Sequence, residues 1–84
     1  MSTKIVDKIT PAQCRAARAL LGMTQSELAK TARLGLSTIV DFERERRSVS
    51  AVAVKELKGA LERAGIKFIR QNGGGVGIRL RGPV

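Results

Sequence analysis

A mainly α fold, four or five short helices followed by a C-terminal β-hairpin, is predicted by three features of the chain. Apolar residues recur every three or four positions from Cys14 to Ala64 and then alternate with polar ones from Ile66 to Leu80. Helix-start residues stand at Thr10, at Thr24 and at Ser48 or Ser50, and Gly22 and Gly65 stand where helices should stop. With 84 residues the chain makes one domain. A core this small is marginal alone, so association with a second copy is expected.

Residues 1–9 mix charge with Ile5, Val6 and Ile9. They suit a frayed arm or a short strand on a sheet edge. The arm is favoured, with Lys4 and Lys8 able to touch phosphates. The first helix starts at Thr10. Pro11 fills the first helical position, where its missing N–H is no loss, and Gln13 completes a capping box. Cys14, Ala17, Leu20 and Leu21 give it an inward side, with Arg18 beside that stripe. A charge there is tolerated only if it is paired.

Thr24 and Glu27 form a second capping box, and Leu28, Ala29 and Ala32 give the next helix one small apolar face. A corner at Arg33, Leu34 and Gly35 leads into a third helix from about Leu36 to Arg44, with Ile39 and Phe42 inward. Helices this short need a covering partner. A fourth helix supplies it, running to Gly65 with Val54, Leu57, Leu61 and Ala64 as its stripe.

Beyond Gly65, IKFIRQ and VGIRLR flank Asn72 to Gly75, a hairpin pattern. A three-residue loop, Gly73 to Gly75, would pair Phe68 with Leu80 and Arg70 with Ile78. It would also keep Ile66, Phe68, Val76, Ile78 and Leu80 on one face, whereas a loop of even length would split them. Lys67, Arg79 and Arg81 take the other face. A lone hairpin is marginal in water, so this one packs on the helices or pairs with a hairpin of a second chain. Phe68, Val76, Ile78 and Leu80 are therefore the candidate dimerisation residues.

Sixteen Lys plus Arg against seven Asp plus Glu give a formal charge of +9. Such an excess favours a polyanion, nucleic acid first and an anionic membrane surface second. Cys14 is the single cysteine, which excludes a disulfide within the chain and suits a reducing cytoplasm. A buried, inert thiol is expected there. No signal-like apolar run or membrane-length segment is visible. Enzyme chemistry has no obvious carrier: there is no histidine, no base beside Cys14 and no carboxylate dyad. No His/Cys metal set and no cofactor motif are present either. The glycines from Gly73 to Gly77 lead into strand-like GIRLRG, not into a helix, so they do not make a phosphate-binding loop.

The residues Thr24, Gln25, Leu28 and Ala29, then Ser37, Thr38 and Ile39, then Phe42 and Glu43 follow the order T-Q-x-x-L-A, S-T-I and apolar-Glu. This order resembles the helix-turn-helix of the phage repressor and Cro-like family, also called Xre, and the likeness extends from roughly Thr10 to Ala64. It implies a four- to five-helix repressor-like DNA-binding domain, since in many relatives the fourth-helix region splits in two. The likeness also implies that Arg18 pairs with Glu43. By the same resemblance, Thr24 and Gln25 hold a phosphate at a helix start, Arg44, Arg46 and Arg47 contact further phosphates, and Leu36, Ser37, Val40 and Asp41 face the bases. Those four are weak readers: Ser37 bonds to several bases, Leu36 and Val40 suit a thymine methyl, and Asp41 suits a cytosine amine.

Two positions depart from the family pattern. Arg33 and Glu45 stand where glycine is common, and at positive φ each would cost on the order of 1 kcal/mol. Gly35 is an alternative place for the corner to relax. The expected function is sequence-specific DNA binding by a dimeric transcriptional regulator. The alternative is a protein-interaction module, such as an antitoxin whose hairpin docks a toxin.

Overall fold

The computed structural model describes residues 8–70 and 73–81. Within them lie α1 (Pro11–Leu21), α2 (Gln25–Ala32), α3 (Leu36–Arg44), α4 (Ala51–Arg63), β1 (Ile66–Ile69) and β2 (Gly77–Leu80). The region from Ala51 onward is one helix, not two. Residues 1–7, with Lys4 and most of the expected arm, fall outside the described residues. Ile9, placed at the end of that arm, is buried in the core.

Local side-chain chemistry starts three of the helices. Thr10 accepts from the Gln13 N–H at 3.0 Å while the Gln13 carboxamide accepts from the Thr10 N–H at 2.9 Å. Thr24 and Glu27 repeat the exchange at 3.0 and 2.8 Å. Ser50 caps α4 through the Ala53 N–H, whereas α3 starts from Gly35 without a side-chain cap.

One backbone device stops α1, α2 and α3. In each, an N–H reaches back five residues, from Met23 to the Arg18 carbonyl, from Leu34 to Ala29 and from Arg46 to Asp41, all at 2.9 Å. The residue before it is left-handed in every case. This is the Schellman closure, which takes up orphan carbonyls at a helix end. Only α1 uses glycine for the left-handed position, Gly22 at φ 67°. Arg33 and Glu45 adopt φ 60° and 56°, so both departures from the glycine pattern keep the backbone that glycine would favour. Gly35, at φ −70°, does not relieve the corner.

Leu28, Ile39, Leu57, Leu61, Ile66 and Cys14 form the fully buried centre, with α4 laid against α2 and α1 against α3. Leu20 was expected inward but is half exposed. It lies roughly 240° around the helix from Cys14, off the stripe of Cys14, Ala17 and Leu21. Ala64 is the exposed C-cap of α4, and Ala60 occupies the core instead.

The hairpin packs against α1 and α4 of its own chain, with Phe68 and Ile78 half-buried on the core. Its register differs from the expected one by two residues. Phe68 pairs with Ile78, and Leu80 pairs with Ile66. Contacts outside the turn hold this register at both ends. The Arg81 N–H donates to the Gly65 carbonyl at 2.7 Å at the open end. At the other end the Gln13 Nε2 donates to the carbonyls of Gly77 at 2.9 Å and Ile69 at 3.5 Å. A shift of two preserves parity, so Ile66, Phe68, Ile78 and Leu80 still share a face. Val76 precedes β2 and is exposed, as is Leu80.

Candidate nucleic-acid interface

Helix α3 has two faces set by its sequence. Ile39, Phe42 and Glu43 point inward and are buried. Leu36, Ser37, Val40, Asp41 and Arg44 recur at one, four, five and eight positions from Leu36, which places them together on the opposite face. Leu36 is 46% exposed, Ser37 and Arg44 are exposed, and Val40 and Asp41 are partly so. The four expected base-facing residues therefore form one solvent-facing surface.

A buried carboxylate fixes that surface relative to the body. Glu43 accepts from Arg18 twice, Nε and Nη2 each at 2.7 Å, in the expected pair. It also accepts from Gln25 Nε2 at 3.0 Å and from the Cys14 Sγ at 3.1 Å. Arg18 adds a bond from Nη1 to the Met23 carbonyl, and Arg15 Nη1 donates to the Glu43 backbone carbonyl. One side chain on α3 thus gathers donors from α1 and from the first residue of α2. Among the described residues, no buried side-chain polar atom lacks a partner.

The protonation states follow from these bonds. Burial, the largest influence on Glu43, pushes its pKa up, but hydrogen bonds from Arg18, Cys14 and Gln25 with the Arg18 charge leave it below the ordinary carboxylate value. The hydrogen bond to Glu43 raises the Arg18 pKa, against the opposing effect of burial. Burial, followed by the hydrogen bond and charge of Glu43, pushes the Cys14 thiol far up, while Arg18 and Arg15 oppose. Cys14 is therefore a protonated donor without nucleophilic character. The Arg18–Glu43 pair is legible in the sequence. Cys14 and Gln25 as partners of Glu43 are not, because helical spacing shows that residues face inward but not which ones meet.

The remaining expected contacts lie at the start of α2 and at the end of α3. Thr24 and Gln25 sit at the start of α2, the Thr24 hydroxyl engaged in the cap and the Gln25 amide turned to Glu43. Arg44, Arg46 and Arg47 are exposed at and just after the end of α3. Arg47 folds back so that its Nε donates to Asp41 Oδ2 at 2.7 Å. This joins an expected phosphate contact to an expected base contact, a pairing the sequence gives only as opposite charges six apart across the left-handed Glu45. Phe68 and Ile78 lie against their own core, away from this surface in sequence and packing, while Val76 and Leu80 remain exposed. Among the described residues no group of His, Cys, Asp or Glu could hold a metal ion, and no helix is long and apolar enough to cross a membrane.

Two short helices set across a tight corner, the second presenting a solvent-facing surface beside arginines, define a helix-turn-helix DNA-binding protein. The family model described as helix-turn-helix, that of Xre and Cro-like proteins, matches residues 15–63, more than half of the chain, and the protein belongs to this family of DNA-binding transcription regulators. A comparison with curated proteins gave no match.

Proposed function

We propose that the protein is a sequence-specific transcriptional regulator whose α3, residues 36–44, lies in the major groove of an operator. The observation that carries this reading is the outward face of Leu36, Ser37, Val40 and Asp41, held out by the buried Glu43 beneath it. Backbone N–H groups at the start of α2, with Thr24 and Gln25, meet one phosphate. Arg44, Arg46 and Arg47 bring positive charge to the other side of the groove. Occupying the operator blocks or recruits polymerase.

An inverted-repeat site calls for two copies related by a two-fold axis. Val76 and Leu80, exposed on the hairpin beside Phe68 and Ile78, are the apolar surface for that contact. Sedimentation should then show a dimer that Leu80→Lys converts to monomer.

Binding of random genomic fragments across a salt series tests the main reading. Affinity should fall steeply with salt, and losing one phosphate-neutralising arginine such as Arg46 should reduce the log-log slope by about 0.9. Salt-tolerant capture of a protein, with no affinity for DNA, would overturn the proposal in favour of a protein-interaction module.

A further inference from the structure

We infer that Asp41 and Arg47 work as one base-reading unit, in which Asp41 is a positioning residue and Arg47 reads a guanine. The inference rests on α3 lying in the major groove and reassigns the roles within it. Asp41 stands on the outward face of α3, its side chain 19% exposed, and Arg47 reaches back to it with 53% of its own side chain exposed. The bond to Asp41 takes Nε, while Nη1 makes only a 3.5 Å contact to the Ser48 carbonyl. Among the described residues, Nη2 donates to none.

A guanidinium carries five N–H donors in a rigid plane. With Nε tied to the carboxylate, the free end of that plane presents Nη1 and Nη2 as a fork. A fork of two parallel donors fits the O6 and N7 acceptors of guanine in the major groove. A phosphate clamp needs only positive charge, and binding it to a carboxylate weakens it. A base reader needs a fixed direction, which the carboxylate supplies by holding a long side chain in one geometry. An exposed ion pair adds little to fold stability, so orientation is what this one contributes. The pairing also neutralises Asp41, whose bare charge would be repelled by flanking phosphates.

The test uses the full chain and a half-site obtained by selection from random DNA, with all four bases then placed at each position. The wild type should prefer guanine at one position by about tenfold or more. Arg47→Ala and Arg47→Lys should both erase that preference while keeping the others. Asp41→Asn should weaken it, and should add nothing further when combined with Arg47→Ala. Arg46→Ala serves as the comparison and should weaken all sequences alike. Circular dichroism establishes that each variant is folded. If Arg47→Ala behaves like Arg46→Ala, or if Asp41→Asn removes a cytosine preference that Arg47→Ala retains, the inference is wrong while the groove reading stands. Failure of the folded wild type to bind DNA would overturn both.

Discussion

Removing Arg18 should damage this protein more than removing Glu43, although the two are partners in one ion pair. The Glu43 side chain is 1% exposed and that of Arg18 is 20% exposed. In Arg18→Ala a carboxylate stays fully buried with only two neutral donors, Cys14 and Gln25. In Glu43→Ala the guanidinium can turn outward to water along its own stem. Breaking a buried pair from the side that strands a charge costs about 3 to 5 kcal/mol. A chain of this length has about 4 to 12 kcal/mol in all, so Arg18→Ala should lower Tm by about 15 °C or more. A double variant, Arg18→Met with Glu43→Leu, should be more stable than Arg18→Ala.

The pH dependence gives a second, independent reading of the same pair. In the wild type the Glu43 pKa is depressed, so its contribution is present above the unfolded carboxylate value and is lost as pH falls through the folded one. Without Arg18 only the hydrogen bonds from Cys14 and Gln25 oppose burial, so the folded pKa of Glu43 rises relative to wild type. The stabilisation that the ionised Glu43 gives above the unfolded value is correspondingly smaller in the variant. Urea unfolding followed by circular dichroism should show the gap between Arg18→Ala and wild type narrowing as pH falls from neutral through the carboxylate range. Equal destabilisation by both single substitutions, additive in the double and with parallel pH profiles, would refute the reasoning.

Other substitutions probe separate parts of the fold. Arg33→Gly and Glu45→Gly should each stabilise by up to about 1 kcal/mol, because both positions are left-handed, while Gly22→Ala should destabilise by a similar amount; thermal melts decide. Gln13→Ala should cost about 1 to 3 kcal/mol and speed amide exchange at the Ile69 and Gly77 end of the hairpin, since one carboxamide serves both the cap and the strands. The Cys14 thiol, buried and shifted upward, should resist a thiol reagent in the native protein at about pH 8 and react promptly in denaturant.

What could be read from the chain beforehand was the chemistry that acts over three or four residues. Thr10 with Gln13 and Thr24 with Glu27 announce helix starts because donor and acceptor belong to one turn. The parity of the hairpin was also legible, since alternation alone decides which residues share a face. Register was not, because the bonds that set it come from Gln13 and Gly65, outside the turn that joins the strands. The same limit applies at the interface. The outward face of α3 follows from spacing, but the Arg47 bond to Asp41 depends on how the chain leaves Glu45, and the full shell around Glu43 depends on three helices already being packed.

The Gln13 amide bears on how two copies can associate. It grips the hairpin from within the first turn of α1, and Ile66, Phe68 and Ile78 seat in the core of the same molecule, so a hairpin that left would have to find the same grip and the same seats in its neighbour. In the single chain the strands are seated at home, so a pairing that leaves them there is made back to back, across surfaces already formed.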